Sequence, residues 1–199
     1  MISIIIPYVR DRGYLNEARE SVSAQTYRNF ELIEERWGTQ GANINRGVRR
    51  AKGEYIKILH DDDILPPRSL EILRQWIGDY DWICGDMEIF GDPAFCDAGI
   101  HIGRVPELSR MIGENEIYGG TTLYKRSVLL EVGGYDEKLW TGEEYDLHLR
   151  LLKLGYSCTY VNEVVHRYRL HAHNKSYDLG YGEKKERREF IREIANKYR

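Results

Sequence analysis

A chain of 199 residues has the length of one domain and can bury a core without disulfides or a structural metal. Its formal net charge of −3 gives no general attraction to nucleic acid, so we expect no nucleic-acid partner. Its three cysteines are scattered, which argues against disulfides and a zinc site and favours a reducing, cytoplasmic location. The N-terminal apolar run, 2–6, is too short for a signal peptide or a membrane span.

The first third of the chain alternates between strand and helix patterns. Strands are predicted at 2–6, Phe30–Glu35 and 54–59, and helices at about 14–24 and 42–51. This β-α-β-α-β order predicts a parallel sheet with right-handed crossovers. Because ligands bind outside the carboxyl ends of such strands, we expect the loops after these three strands to form one edge of a site.

The remaining chain shows shorter and less regular patterns. They predict a helix at Ser69–Ile77, strands at 81–84, 86–90 and 121–124, and a helix at 125–132, with an irregular stretch at 91–102. A further helix follows 140–146, with Thr141 as its expected N-cap. Strands at 157–161 and 164–170 precede a charged C-terminal helix. The absence of a linker pattern predicts one domain.

Three consecutive carboxylates, Asp61, Asp62 and Asp63, follow the third predicted strand. Adjacent like charges repel one another, and a bound divalent cation such as Mg²⁺ would offset that repulsion through oxygen ligands. A solvated acidic turn at the start of the next helix is the structural alternative. The triplet alone leaves both interpretations open.

Four polar clusters could supply the chemistry of metal-assisted transfer from a nucleotide-diphosphate donor. They lie at 7–12, at the aspartate triplet, at 143–146 and at 166–176. A cation would bridge the diphosphate and neutralise its charge as it leaves, while a carboxylate takes the proton of the attacking hydroxyl. Each cluster also has a ready structural explanation.

The order of these motifs resembles glycosyltransferase family 2, a group of GT-A enzymes, over about residues 2–176. The matching segments are SIIIPYVRDRGYL, ESVSAQTYRNFELI, NRGVRRAKGEYIKILHDDDILPP, GGTTLYKRSVLLEVGGYDE, GEEYDLHLRLLKLGY and YRLHAHNKS. The resemblance implies an α/β fold, a Rossmann-like α/β/α sandwich with a mostly parallel central sheet. It also implies an inverting transfer from a nucleotide sugar to a hydroxyl acceptor, expected to be a glycan, with Mn²⁺ or Mg²⁺ as cofactor.

The resemblance divides the single domain, 1–199, into functional parts. Residues up to about 90 form the nucleotide-binding half, and about 91–176 the acceptor-side half. The charged helix at about 181–199 could contact an anionic membrane, an acceptor or a partner domain, although a solvated helix is the more common case.

The family's D-x-D-D-I pattern assigns different roles to the acidic stretch. Asp62 is expected to bind the metal directly, and Asp61 to lie near the ribose or diphosphate. Asp63 is expected to bind the metal through water or to cap the next helix. His60 stands where the family usually has its first aspartate, and we interpret it as a packed, hydrogen-bonded imidazole rather than a ligand.

The expected donor site includes the loops after the first two strands. Pro7 and Tyr8 match the family's first loop, and Arg10 lies in the same loop. In the second loop Arg36 and Trp37 replace an acid pair that usually contacts the base. Trp37 could stack on a base and Arg36 could reach a carbonyl or phosphate, or Trp37 could pack against the sheet edge. A UDP-sugar donor is favoured.

The segment from Gly142 to Asp146 matches the family's G-E-D-Y-D motif, which carries the catalytic base. The match assigns Glu144 as base, with Glu143 as the second choice. Negative charge at a helix N-terminus is the structural alternative for both.

The late motif of the family, Y-R-x-H-x-x-S, matches the stretch that begins at Tyr168. Arg169 and His171 are expected at the leaving diphosphate, with His171 as a further metal ligand, whereas His148 and His166 match no motif and are interpreted as ordinary surface or packed histidines. The acceptor side is expected to contain Gly120, Thr121 and, as a sugar platform, Trp140.

The sequence leaves two other functions open. A non-catalytic nucleotide-sugar or glycan-binding relative is conceivable, because His60, Arg36, Trp37 and Glu144 depart from the family pattern. A metal-dependent phosphohydrolase is less favoured. Such an enzyme with an aspartate nucleophile usually has it after the first strand, where this chain has Pro7.

Overall fold

A computed structural model describes residues 1–92, 99–174, 177–178, 182–183 and 185–199. Its first half consists of β1 (Ile2–Pro7), α1 (Leu15–Ser23), β2 (Phe30–Glu35), α2 (Gln40–Arg50), β3 (Tyr55–Ile58) and α3 (Ser69–Ile77). The order of these six elements is as predicted, and their bounds agree with the prediction to within about two residues.

The second half differs more from the prediction. It contains β4 (Trp82–Gly91), β5 (Gly99–His101), α4 (Leu108–Met111), a 3-10 turn (Gly119–Thr121), β6 (Leu123–Lys125), α5 (Arg126–Glu131), α6 (Glu143–Lys153), β7 (Cys158–Leu170), β8 (Tyr177–Asp178), β9 (Gly182–Glu183) and α7 (Lys185–Asn196). The four-residue α4 was not predicted, since it is too short to show a helical period.

Two long strands replace four predicted short ones. β4 and β7 pair in parallel along their length, with register shifts around Gly85 and Asp86. Between the pairs Gly85–Val161 and Asp86–Val164, β7 contains two additional residues, Asn162 and Glu163. These exposed polar residues interrupt the apolar alternation, which explains why the sequence predicted a break there.

The central sheet has the strand order β2-β1-β3-β6-β4-β5, with β7 paired to β4. The pairings β1–β2, β1–β3 and β4–β7 are parallel, whereas β6 runs antiparallel to both β3 and β4, and β5 runs antiparallel to β4. The parallel arrangement predicted for the first three strands is confirmed. The reversed strands β5 and β6 make the whole sheet mixed.

Helices cover both faces of this sheet. One apolar cluster contains Ile5 of β1 with residues of α2, α5, α6 and α7, and the other contains Ile4 and Ile6 with residues of α1 and α3. Successive side chains of a strand point to opposite faces, so the continuous apolar run of β1 serves both clusters. The result is the three-layered α/β/α sandwich expected from the sequence.

Close packing of α2 on β1 places the start of α2 at the carboxyl edge of the sheet. A Cβ on Gly47 would lie 2.6 Å from Cγ2 of Ile5, so only glycine permits this approach. Gln40, the first residue of α2, thereby comes near the end of β3.

The C-terminal helix α7 packs against the segment that leads into α6. Phe190 contacts Trp140 with ring centroids 5.6 Å apart, and Ile191 and Ile194 cover the bare backbone of Gly142, whose φ is +73°. In the described part of the chain, no helix combines the length and apolar character needed to cross a bilayer.

The prediction that Thr141 caps α6 is wrong. Gly142 occupies the N-cap position, and no side chain caps the helix there. The Thr141 hydroxyl instead accepts a hydrogen bond of 3.2 Å from Nε of Arg187 on α7. The hydroxyl lies one residue too early to reach the free N–H groups of the helix.

Candidate active site

A polar cleft opens at the carboxyl edge of the parallel strands, as the strand order predicts. Its walls come from the loop after β1, the start of α2, the segment after β3, the 3-10 turn, the start of α6, the end of β7 and α7. The lining residues are Arg12, Gln40, His60, Asp61, Asp62, Asn115, Ile117, Tyr118, Gly119, Thr141, Gly142, Glu143, Glu144, Tyr145, Tyr168, Asn174 and Arg187. The cleft therefore brings together Asp61 and Asp62 with both candidate bases.

Asp62 is held by three basic side chains. Its Oδ2 lies 3.1 Å from Nε2 of His171 and 3.6 Å from a guanidinium nitrogen of Arg12, and its backbone carbonyl accepts a bond of 2.8 Å from Nε of Arg169. Burial opposes ionisation, but the hydrogen bond from His171 and the charges of His60, His171 and Arg12 lower the pKa of Asp62 overall. Asp62 is thus kept as a carboxylate facing the cleft.

Asp61 lies in the same wall of the cleft, but its pKa is shifted in the opposite direction. Burial and, secondarily, the neighbouring Asp62 raise the pKa of Asp61 to about 6, although Arg12 and His60 oppose the shift. The adjacent carboxylates therefore differ in their ease of ionisation. A cation bound near the pair would favour the ionised form of both.

Glu144 is held against the opposite wall by His60. Its Oε1 lies 3.0 Å from Nε2 of His60, and Nδ1 of the same ring lies 3.4 Å from the Gln40 amide nitrogen. Burial lowers the pKa of His60, yet the charge and hydrogen bond of Glu144, together with the neighbouring Asp63 and Asp62, outweigh that effect and raise the pKa to about 10. Our interpretation of His60 as a packed, hydrogen-bonded imidazole agrees with this geometry, but its partner was not foreseen.

The backbone of the 3-10 turn forms the surface on which Glu144 rests. A Cβ on Gly119 would overlap the Glu144 carboxylate, so a residue with a side chain there would displace the candidate base. Glu143 also lines the cleft and is 4% exposed. Both glutamates belong to the first turn of α6, where the helix dipole favours negative charge.

Asp63 faces the protein interior. Its Oδ2 lies 2.9 Å from Nε2 of His166 and accepts a bond of 3.2 Å from the Tyr118 hydroxyl, and its Oδ1 accepts a bond of 2.9 Å from the Arg169 N–H. The side chains of Asp63 and His166 are both 0% exposed. The predicted metal ligand Asp63 is therefore placed behind the cleft wall, engaged by three partners.

Lys57 is a buried charge that the sequence reasoning missed. It is 0% exposed in the middle of β3, and its ammonium donates to the carbonyl oxygens of Gly120 and Thr122. Burial lowers the pKa of Lys57 to about 7, although the nearby carboxyl groups of Asp63 and Glu144 oppose the shift. The sequence did contain a signal for this residue, namely a lysine inside the apolar run of a central strand.

The predicted donor-base residues lie outside the cleft lining. Pro7 is buried, Arg10 is exposed, and Trp37 is 83% exposed with a φ of +83°. The guanidinium of Arg36 lies 4.5 Å from the Trp37 ring and 5.8 Å from the Tyr8 ring. Trp37 does not pack against the sheet edge, and the three side chains form an exposed cationic and aromatic surface.

Arg169 and His171 occupy the far side of Asp62. The Arg169 guanidinium donates to Glu17 at 2.7 Å and lies 4.5 Å from the rings of both Tyr14 and Phe90. The structure thus uses Arg169 to brace the segment that carries Asp62. Ser176, the last residue of the matching segment YRLHAHNKS, lies outside the described residues.

The predicted acceptor-side residues fall in two places. Gly120 and Thr121 are buried behind Gly119, with Gly120 directly against the His166 ring. Trp140 is 46% exposed and packs on Phe190, next to the Thr141 portion of the cleft. Of these predicted residues, Trp140 alone has a substantially exposed surface.

The residues around Asp62 suit a hard divalent cation. Asp62 and His171 offer an oxygen and a nitrogen ligand 3.1 Å apart, and Asp61 adds a second carboxylate nearby in the chain. Within the described ranges no group of three or more His, Cys, Asp or Glu side chains is arranged to hold an ion. Mg²⁺ is usually bound by one or two carboxylates together with substrate phosphates, and this donor set fits that pattern.

Comparison with sequence families points to one group of enzymes. A profile described as "Glycosyl transferase family 2" matches residues 32–133, which is just over half of the chain. A second profile, described as "N-terminal domain of galactosyltransferase", matches residues 101–174. The first match contains the Asp61–Asp62 wall of the cleft.

Several curated proteins are related in sequence. An uncharacterised glycosyltransferase of Rickettsia typhi is 27% identical over 211 residues, covering 86% of this chain and 64% of the relative. One of Haemophilus influenzae is 28% identical over 187 residues, covering 77% and 62%. Glycosyltransferase GlyG of Streptococcus pneumoniae is 28% identical over 109 residues, covering 41% and 36%. The chain spans about one third to two thirds of the length of these relatives.

Solved structures of TarS from Staphylococcus aureus share the fold. TarS 1–349 in complex with UDP-GlcNAc superposes with a TM-score of 0.69 at 16% identity, covering 85% of this chain and 58% of that one. The complex with UDP gives a TM-score of 0.66 at 15% identity, covering 86% and 61%. The GT-A fold predicted from the motifs is confirmed by this likeness, and the profile match shows that the chain belongs to glycosyltransferase family 2.

Proposed function

We propose that this protein is a metal-dependent, inverting glycosyltransferase. It transfers a sugar from a nucleotide-diphosphate sugar, preferentially a UDP-sugar, to a hydroxyl acceptor on a glycan. The proposal includes a cytoplasmic location, which rests on the scattered cysteines. Cys84 and Cys158 are free thiols, and Cys96 lies outside the described residues.

One observation carries the proposal, namely that a single cleft contains two separate carboxylate pairs. Asp61 and Asp62 form one wall, and Glu143 and Glu144 belong to the first turn of α6. His60 connects the two groups, because it precedes Asp61 in the chain and hydrogen-bonds to Glu144. Transfer from a diphosphate donor needs one acidic site near the leaving group and one base near the acceptor.

The proposed reaction is a single displacement. Glu144 takes the proton of the acceptor hydroxyl, whose oxygen attacks the anomeric carbon. The bond from that carbon to the diphosphate oxygen breaks, its electron pair leaves with the diphosphate, and the configuration inverts. A bound Mn²⁺ or Mg²⁺ would be held by Asp62, with His171 as a further ligand, and would neutralise the developing charge of the diphosphate.

One argument favours uridine as the donor base, and a second favours a stacked base of any kind. The TarS structures that share this fold include complexes with UDP and with UDP-GlcNAc, which are ligands of that protein. In this chain the Tyr8, Arg36 and Trp37 surface follows β1 and β2 at the carboxyl edge of the sheet and could stack on a base.

A ligand panel tests the donor assignment directly. UDP, GDP, dTDP, CMP and their sugars are added to the protein with and without Mn²⁺, and the melting temperature is measured. A ligand that binds the folded state raises the melting temperature according to its concentration relative to Kd. We expect the largest rise with UDP or a UDP-sugar in the presence of Mn²⁺. A panel in which no nucleotide changes the melt would contradict the proposal.

Substitution of the base separates catalysis from binding. Glu144→Gln should reduce sugar transfer by about 100- to 10,000-fold while nucleotide binding remains close to that of the wild type. Glu131→Gln, an exposed substitution outside the cleft lining, is the matched control. If Glu144→Gln retained full activity, the base assignment would be wrong. Binding without donor hydrolysis or transfer in the wild type would instead support the non-catalytic alternative.

A further inference from the structure

His60 occupies an unusual position in the cleft. It follows β3 and precedes Asp61 and Asp62, yet its ring turns toward α6 rather than toward the acidic wall. The hydrogen bond to Glu144 joins residues 84 positions apart in the chain. It therefore links the acidic wall of the cleft to the candidate base.

Both ring nitrogens of His60 have a protein neighbour. Nε2 lies 3.0 Å from Oε1 of Glu144, and Nδ1 lies 3.4 Å from Nε2 of Gln40. The side chains of His60 and Glu144 are only 12% and 20% exposed. A hydrogen bond shielded from water in this way restricts both partners more than an exposed one would.

Glu144 needs such restriction because of its length. A glutamate has one more rotatable bond than an aspartate, so its carboxylate can occupy more positions. Gly119 limits it from one side by backbone contact, and His60 limits it from another by hydrogen bonding. A general base must be held within hydrogen-bond reach of the proton that it removes.

We propose that His60 is a positioning residue that fixes the Glu144 carboxylate in the orientation needed for proton removal. This inference rests on the proposed function and deepens it. It gives His60 no direct contact with the metal or the donor, because Nε2 is directed to Glu144 and Nδ1 to Gln40.

Two neutral substitutions distinguish the two ring nitrogens. Glutamine at position 60 can place a polar atom close to the position of Nε2 and keep the bond to Glu144. Asparagine reaches only the position of Nδ1 and loses that bond. We expect His60→Asn to lower kcat by about 10- to 100-fold with donor KM changed less than about threefold, and His60→Gln to restore most of kcat.

A double-mutant cycle measures the coupling between the two residues. Glu144→Asp shortens the side chain and separates its carboxylate from His60. If the two residues act as one unit, the combined loss in His60→Asn/Glu144→Asp should be clearly smaller than the product of the single losses. Multiplicative losses would show that the two residues act independently and would overturn the proposal. A rise in donor KM without a change in kcat would overturn it in favour of direct donor contact.

The hydrogen bond between His60 and Glu144 can also be tested by a measurement that requires no enzymatic turnover. Nitrogen-15 NMR of labelled histidines at one fixed pH should show a changed His60 Nε2 signal in Glu144→Gln but not in Glu131→Gln. An unchanged signal would refute the pairing itself, even in an active enzyme. If the wild type were inactive but Glu144→Gln still changed the His60 signal, the result would contradict the proposed function and leave the pairing intact.

Discussion

Asp63 and His166 form a hydrogen-bonded pair of 2.9 Å in which both side chains are fully buried. Burial and, to a smaller extent, the neighbouring Asp62 raise the pKa of Asp63 far above its ordinary value, and burial lowers the pKa of His166. Each side chain is therefore favoured in its uncharged form. The pair acts as a polar support beneath the segment that carries Asp62.

Substitution of Asp63 should affect stability more than metal binding. Asp63→Ala leaves His166, Tyr118 and the Arg169 N–H without their partner. A buried polar group left without its partner costs about 1–3 kcal/mol, so the unfolding free energy in urea should fall by at least about 3 kcal/mol. Asp63→Asn keeps the shape and part of the hydrogen bonding, and should cost about 1 kcal/mol. Mn²⁺ should still raise the melting temperature of Asp63→Asn with UDP, whereas Asp62→Asn should lose that rise. The opposite pattern would make Asp63 the metal ligand.

Stability should depend on pH through Lys57. The unfolded chain keeps this lysine protonated up to its ordinary pKa of 10.5, whereas in the folded protein its pKa is about 7. Between these values the unfolded state binds more protons, so the contribution of Lys57 to stability rises with pH. The difference in unfolding free energy between wild type and Lys57→Met should shift by about 3 kcal/mol in favour of wild type from about pH 7 to about pH 9.5.

Urea unfolding at several pH values provides this comparison. Lys138→Met removes an exposed lysine and controls for the loss of one positive charge. A pH-independent difference between wild type and Lys57→Met would show that Lys57 keeps its proton in the folded protein.

A single methyl group at Gly119 should disable the base. In Gly119→Ala the new Cβ overlaps the Glu144 carboxylate, which must turn away from its contact with His60. We expect transfer to fall by about 100-fold or more, as misplacement of a reacting group by about 1 Å can cause. Nucleotide binding should persist. Gly99→Ala, where a Cβ meets nothing within 4 Å, is the control, and equal activity of both variants would refute the prediction.

Trp37 should contribute to nucleotide affinity and little to stability. Its side chain is 83% exposed and its φ of +83° is unfavourable for a residue with a Cβ. Trp37→Gly should therefore preserve or slightly raise the melting temperature, while the Kd of UDP increases by about 10-fold through loss of base stacking. Isothermal titration calorimetry measures the Kd. Unchanged affinity would remove Trp37 from the donor site.

Patterns within single segments of the sequence predicted the first half of the fold and the main acidic residues of the cleft. The strands and helices from β1 to α3 follow from apolar periodicity, and the motif order assigned Asp61, Asp62, Glu143 and Glu144, which the structure brings into one cleft. The orientation of Asp63 could not be predicted in this way. It depends on His166, which comes from a strand about 100 residues later in the chain.

Tertiary contacts also account for the other differences. The exposed bulge at Asn162 and Glu163 resembled a loop because its pairing partner, β4, lies far away in the chain. The pairing of His60 with Glu144 requires β3 and α6 to meet, which no single segment specifies. Thr141 was assigned as a cap by residue type alone, but α7 engages its hydroxyl.

The long strand β7 has a consequence for how this domain can vary in length. Between Val164 and Leu170 it presents His166 to Asp63 and Arg167 to Glu88 on opposite sides of the sheet. Insertion or deletion of one residue there would exchange the two faces and bring a guanidinium where an imidazole now lies. We therefore expect relatives with a working cleft to differ in length before Val161 or after Asn174, and to keep the spacing between these strand residues fixed.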